Sequence, residues 1–310
     1  PFFVDMLHRF ELWFVPMINP EGYRIVSSGQ WEWKRKNNSH NYGEFNLRED
    51  GVDLNKNYPV NWKYDRTTNP DSRYYKGVSP GSESEVQTMM HFFERERFQY
   101  AVFYHSSQYG RDSERIYFPW CWGRWLSPDY AQMREIADSL ASVLPRDYLL
   151  CNYEVYTGEN NRKGYARDYI YAFYNTLAFT IEAGGNNSAG MGVIHPPDSI
   201  RVKILAKHYN MYRVLLQEAA QRLFAFRLVD RKGAAVVGYP VQLKDTRLPQ
   251  PLRTNADGFF FRNITPGQKY IDLKIGGRNY RVRVDRKRKF KQLRLRKQDT
   301  YVISVNQEKT

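Results

Sequence analysis

The sequence holds only two cysteines in 310 residues, Cys121 and Cys151. Two cannot build a disulfide framework or a cysteine-based zinc cage. One bridge and two separate thiols are both open, so cysteine usage does not fix the redox compartment. Long apolar runs are missing too. No stretch approaches the ~18 apolar residues of a membrane span, and no charged-then-apolar leader opens the chain. It begins at Pro1 and runs at once into PFFVDMLHRFELWFVP. The expectation is a processed or cut chain whose address was written upstream. Acidic residues are scarce in one region only. From Arg222 to Thr310 there are 7 Asp and Glu against 22 Lys and Arg, whereas the rest of the chain has 26 against 25. The net charge of +14 is therefore carried by a small C-terminal part. Apolar residues, at 42%, and aromatics, at 16%, are plentiful enough for a sizeable core and exclude global disorder. At ~100–200 residues per domain, the length accommodates two domains.

Residues 1–221 alternate short apolar runs with helix-like stretches. Glu11–Ile18, Tyr100–Tyr104 and Leu177–Ile181 read as buried strands. Ser82–Arg95 opens with SESE, an N-cap followed by acids in the first turn, and continues as an amphipathic helix. Tyr130–Leu144 and Pro197–Leu223 also read as helices. Alternating strands and helices predict an α/β domain with a mixed, mostly buried sheet and helices on both faces. After Phe224 the pattern changes to short strand-like runs, Phe226–Val229, Val241–Leu243, Phe259–Phe261, Tyr270–Ile275 and Tyr280–Val284. RKG, NADG, TPG and GGRN separate them with turn chemistry. This predicts a small all-β sandwich over 222–298, followed by a polar tail at 299–310. In its last strands Tyr280, Val282 and Val284 share one face and Arg281 and Arg283 the other.

Six short motifs stand out: Asn19-Pro20-Glu21-Gly22-Tyr23, Arg35-Lys36-Asn37, Gly51-Val52-Asp53-Leu54-Asn55-Lys56-Asn57, Ser82-Glu83-Ser84-Glu85, His105-Ser106-Ser107-Gln108 and Phe179-Thr180-Ile181-Glu182. Each alone has a bland reading. NPEG is a turn after a strand, and a single His after YAVFY serves packing as readily as chemistry. A carboxylate closing the apolar run LAFTIE is less easily dismissed, because open α/β sheets bind ligands at strand ends.

Taken in order, the series resembles the M14 zinc carboxypeptidases over about residues 7–220. NPEGY stands for the NPDG turn, RKN for the (W)RKN segment and GVDLNKN for GVDLNRN. SESE stands for the SExE helix start, YHSSQ for the strand end bearing the third zinc ligand and FTIE for the strand bearing the catalytic glutamate. The resemblance implies Zn2+ as cofactor, a peptide substrate and hydrolysis of an amide bond near a peptide C-terminus. His105 matches the later metal ligand, Glu182 the general base and Arg35 the arginine that steadies the oxyanion. Asn55 and Lys56 match the pair that holds the substrate's terminal carboxylate. The small domain resembles transthyretin-like, carboxypeptidase regulatory-like modules through GAAVVGYPVQL and TNADGFFFRNITPGQKY. By association, a secreted or cell-envelope setting is expected.

Four departures matter. The family's HxxE zinc motif would precede Pro1, so the remaining two ligands are expected upstream and the chain as given is expected to be inactive. His8-Arg9-Phe10-Glu11 spells HxxE, but in a strand residues i and i+3 face opposite sides, so the pair reads as strand entry. Lys56 stands where the family has arginine and lacks the bidentate fork. Arg167, in GYARDY, falls at the floor of the pocket for the terminal side chain, where a cation suits an acidic or diaminopimelate-like residue. Its plain reading is an arginine paired with a neighbouring acid. The mobile tyrosine of the family would fall at Asn160, with Tyr156 and Tyr165 as nearby candidates and Tyr156 taken as substrate-binding. The basic module is either a solvated face or a site for an anionic polymer. No nucleic-acid motif is present. The alternative function is a catalytically silent binding protein on a peptidase fold, with the basic module as its working part.

Overall fold

The computed structural model describes residues 2–40, 44, 46–106, 114–120, 126–147, 150–157, 163–184, 197–244, 248, 250–284 and 290–294. Cys121 and Asn160 lie outside them, whereas Cys151 is an exposed free thiol. The chain forms two units, residues 1–127 with 137–208, and 128–136 with 209–310. The packing division falls inside a single long helix. The charge step marks where that helix gives way to strands, while the packing of its second half follows the β unit.

In the first unit, α1 (Phe2–Leu7) and α2 (Pro20–Ser27) precede α3 (Ser84–Glu96), β1 (Tyr100–Ser106), β2 (Arg115–Phe118), α4 (Tyr130–Ala141), β3 (Glu154–Thr157), α5 (Ala166–Tyr174), β4 (Leu177–Ala183) and α6 (Asp198–Arg222). Both α4 and α6 continue into the second unit. The sheet order is β1-β4-β2-β3. β1 runs parallel to β4, β2 antiparallel to β4, and β3 parallel to β2. The sheet is therefore mixed, and β4, buried along almost its whole length, reads as the apolar run a central strand needs.

Side chains alternate across this sheet. Ala101, Phe103 and His105 of β1 share a face with Ala178, Thr180 and Glu182 of β4. That face is covered by α3 and α5. Val86, Met89 and Phe93, spaced for one helical stripe, pack with Tyr169, Ile170 and Ala178. On the other face Tyr104 meets His208 of α6, with ring centroids 5.3 Å apart.

The run Glu11–Ile18 is not a strand. Residues 10–17 have no ladder partner among the described residues, and Phe14 is 74% exposed. A strand exists only through pairing, so β propensity alone does not make one here. NPEG likewise is no simple turn. Asn19 caps α2 by accepting from Gly22 N at 2.9 Å, and Pro20 takes the first helical position. The first cap of α3 is Glu83 rather than Ser82.

The second unit contains β5 (Leu223–Val229), β6 (Pro240–Leu243), β7 (Leu252–Arg253), β8 (Phe259–Asn263), β9 (Tyr270–Ile275), β10 (Arg278–Arg283) and β11 (Phe290–Arg294). One sheet, β10-β9-β6-β7, is antiparallel throughout. In the other, β5 pairs antiparallel with β8 and parallel with β11. Phe224, Phe226 and Phe260 form the centre of its core, the last two stacked at 4.8 Å, with Val241, Ile271, Leu273 and Val282 around them. Tyr280 and Val284 pack against that core, and Arg281 and Arg283 are exposed, as the alternation predicts.

Candidate active site

The six motifs converge because their polar side chains tie one segment to the next. Asn19 Nδ2 donates to the carbonyls of Arg35 and Lys36 at 3.3 and 3.2 Å, so the NPEG turn clips the RKN segment in place. Asn37 Oδ1 accepts from Val52 N at 2.8 Å, and Asn37 Nδ2 donates to Glu83 Oε2 at 2.7 Å. Gly51 lies between them at φ 102°, and a Cβ there would stand 2.1 Å from the Asn37 carbonyl. Asn57 Nδ2 reaches the carbonyls of Lys76 and Ser79 and the Ser82 hydroxyl at 2.8–3.0 Å. Asn37, Asn57 and Glu83 are nearly inaccessible. Their hydrogen bonds satisfy buried polar groups that would otherwise be costly.

This frame presents a linked row of side chains. Arg35 Nε donates to Asp53 Oδ2 at 2.8 Å. Asp53 Oδ1 accepts from Asn55 N at 3.3 Å. Asn55 Oδ1 accepts from Ala166 N, at the start of α5, at 3.1 Å, and its Nδ2 lies 3.1 Å from His105 Nε2. With the amide donating, Nε2 accepts and the imidazole proton sits on Nδ1. Nδ1 faces Glu182 Oε1 at 3.7 Å. His105 and Glu182 are direct partners on the parallel strands β1 and β4, so the two side chains emerge together from adjacent strand ends. Burial opposes the Arg35 charge, but Asp53 beside it outweighs burial and lifts its pKa above the usual guanidinium value. Tyr74 lies against Arg35 at 5.3 Å.

Lys56 is also buried. Its Nζ lies 2.7 Å from Asp65 Oδ2 and 5.5 Å from the Tyr165 ring centroid. Burial pushes the Asp65 carboxyl up, and its bonds from Lys56 and Thr67 pull it below the usual value. The Lys56 ammonium is thus engaged by Asp65. Arg167, 1% exposed, packs its guanidinium over Tyr165 and Tyr117 at 4.9 and 5.3 Å and donates to Thr180 Oγ1 at 2.9 Å. Asp168 Oδ1 is 3.8 Å away. Aromatic faces, a hydroxyl and a neighbouring acid thus surround the guanidinium. Arg167 nevertheless stands on the Glu182 face, beside Thr180. Tyr156 sits farther off on β3, opposite Tyr117 of β2, with its hydroxyl donating to Glu154.

Arg115 is a residue sequence reasoning missed. It opens β2 directly opposite Glu182, in register with Glu154 of β3. Its guanidinium lies over the Tyr156 ring at 4.5 Å. A charged residue at the start of RIYF was the available signal. His91-Phe92-Phe93-Glu94 was missed as well: it spells HxxE on α3, where i and i+3 do share a face.

A catalytic zinc takes three protein ligands. No group of three His, Cys, Asp or Glu that could hold a metal forms among the described residues. His105 Nε2 is engaged by Asn55 and Asp53 by Arg35. His8 and Glu11 are exposed and join no such group. The described side chains thus do not by themselves fit the metal.

The site is thus a mixed α/β sheet with a histidine–glutamate pair at adjacent strand ends, braced by an arginine–aspartate–asparagine row. The family model of the M14 zinc carboxypeptidases matches residues 1–205, and the chain belongs to that family. Carboxypeptidase B of Helicoverpa zea is 27% identical over 204 residues, 63% of this chain and 46% of that protein. Metallocarboxypeptidase A of Trichophyton rubrum is 34% identical over 84 residues, 27% of this chain and 19% of that protein. Among solved structures, carboxypeptidase A from Helicoverpa armigera superimposes with a TM-score of 0.54 at 25% identity, covering 64% of this chain and 49% of that one. Thrombin-activatable fibrinolysis inhibitor, at TM-score 0.57 and 20% identity over 70% of this chain and 55% of that one, shares the fold. The chain spans about half the length of these longer matches, or less.

Proposed function

We propose that the chain carries the general-base and substrate-binding part of a metallocarboxypeptidase that removes an acidic or diaminopimelate-like residue from a peptide C-terminus. The observation that carries this reading is the pairing of His105 with Glu182 at adjacent strand ends, joined to Arg35 through Asn55 and Asp53. Glu182 takes the proton of the attacking water and returns it to the leaving amine. Arg35 offers fixed positive charge to the oxyanion of the tetrahedral intermediate. Asn55 and Lys56 receive the terminal carboxylate, and Arg167 receives the side chain. Tyr156, distant from the row, belongs to the reading as an outer contact of the peptide. Zn2+ enters this reading only through the family, with His105 as the described residue assigned to it. The second unit is assigned to the transthyretin-like modules on its two small sheets, and the setting to the cell envelope or exterior. No described helix is long and apolar enough to cross a membrane.

In zinc-loaded full-length protein, Glu182→Gln is expected to lower turnover by ~10²–10⁴-fold, the usual worth of a general base, with bound zinc unchanged by metal analysis. Retained turnover would remove Glu182 from this role. The second reading, a silent binding protein, is favoured by the lack of a three-ligand group among the described residues. Zinc-loaded full-length protein that binds peptide without cleaving it would establish that reading.

A further inference from the structure

The outer face of the antiparallel sheet in the second unit has a charge pattern that the peptidase reading does not use. Cross-strand register lays it out in rows. One row is Asn279, Lys274 and Gln242. The next is Arg281, Asp272 and Lys244, the last placed by its backbone N–H bond to the Asp272 carbonyl at 2.9 Å. Arg283 lies opposite Tyr270, and Arg253 opposite Pro240. All are exposed except Asp272, which is half-buried. Among the described residues five cations thus share this face with a single carboxylate, which Arg281 holds through two bonds of 2.8 Å. Lys244, Lys274 and Arg283 have no ion-pair partner among the described residues. With strands about 4.8 Å apart and same-face residues about 6.8 Å apart along each strand, these charges form an array rather than a point site.

We propose that this face binds an acidic polysaccharide, a chain of sugar rings bearing carboxylates. The cations supply charge complementarity. The neutral residues decide between polyanions. The amides of Asn279 and Gln242 both donate and accept, which suits sugar hydroxyls. Asp272, held by Arg281, accepts only and can still take a hydroxyl proton that a sugar offers. Tyr270, 48% exposed, has Arg281 over one side of its ring at 5.6 Å and offers the other face to a sugar ring. The proposal is independent of the peptidase reading.

The test uses the whole chain with polygalacturonate as probe, at physiological salt. Oligo(dT), vesicles containing phosphatidylglycerol and uncharged dextran serve as comparison ligands. The expected result is binding to polygalacturonate that weakens as salt rises, exceeds binding to the three comparison ligands, and falls at least tenfold in a Lys244→Glu/Lys274→Glu/Arg283→Glu variant of unchanged circular dichroism. Tyr270→Ala should weaken it by a few-fold without altering its salt dependence. Equal or tighter binding to oligo(dT) or to vesicles would overturn the polysaccharide assignment. Unchanged affinity in the triple variant, or loss that follows only reversal of the sequence-adjacent Arg286, Lys287, Arg288 and Lys289, would overturn the surface.

Discussion

Arg35, Asp53, Asn55, His105 and Glu182 come from four sequence segments and form one row, hydrogen-bonded from Arg35 to His105, with Glu182 3.7 Å beyond. Arg35→Ala should lower turnover of the zinc-loaded full-length protein by ~10²–10³-fold, the scale for one lost oxyanion stabiliser. Steady-state assays should show the loss mainly in kcat. The other notable residue is His208, buried on the opposite face of the sheet with its Nδ1 3.1 Å from the Tyr104 hydroxyl. Burial, with Lys207 alongside, lowers its pKa from 6.5 to about 4. The unfolded chain therefore binds a proton near pH 6.5 that the folded protein refuses until about pH 4. Stability should fall as pH drops through that window, by about 3 kcal/mol in all. Denaturant melts at pH 7, 5 and 4 should show the decline, and His208→Phe should flatten it. An unchanged slope in that variant would assign the acid sensitivity elsewhere. The residue identities of the row were legible in the sequence as motifs, because each motif carries its own polar side chain. What the motifs did not reveal was who pairs with whom. Lys56 is engaged by Asp65, nine residues on, and Arg167 by Thr180 and two tyrosine rings, contacts that arise only when loops are folded against the sheet.

At the scale of elements, strands with apolar runs and a neighbour were legible. Tyr100–Tyr104 and Leu177–Ile181 appear as β1 and β4, each two residues longer at the end that bears the site. Glu11–Ile18 has an equally apolar run and forms no strand, because pairing is a property of two segments and cannot be read from one. Loops matter as much as strands here. The carbonyl of Gly164 accepts from Tyr58 N at 3.0 Å, and its own N–H donates to Val60. At φ 76° a Cβ on residue 164 would lie 2.2 Å from the Lys56 carbonyl. Gly164→Ala should therefore destabilise the first unit by about 1–3 kcal/mol, the cost of a strained left-handed residue, with added loss from the clash. Denaturant unfolding checks this, and a change within a few tenths of a kcal/mol would show that the loop relaxes freely.

At the scale of the whole molecule, the sequence shows two regions of different composition. Charge places the step at Arg222, whereas the fold assigns 128–136 and the second half of α6 to the β unit. Within that unit Arg262 Nη2 donates to Asp129 Oδ1 at 2.7 Å, with both side chains buried. This ion pair joins a helix-bearing segment to β8 across 133 residues of sequence, a separation that no local pattern announces. Breaking a buried ion pair by removing one partner is strongly destabilising, so Asp129→Ala should cost about 3–5 kcal/mol. A melt that loses far less would mean that 128–136 is not an integral part of the β unit.

The strand-end pair and the cation beside it carry the proposed chemistry. The direct measurement is release of the last residue from peptides that differ only there, ending in Glu, Phe or Lys, by zinc-loaded full-length protein and its Glu182→Gln and Arg167→Ile variants. The prediction is fastest release of Glu, loss of release from every peptide in Glu182→Gln, and a shift toward Phe in Arg167→Ile. Faster release of Phe or Lys than of Glu by the unmodified protein, or undiminished release by Glu182→Gln, would contradict it.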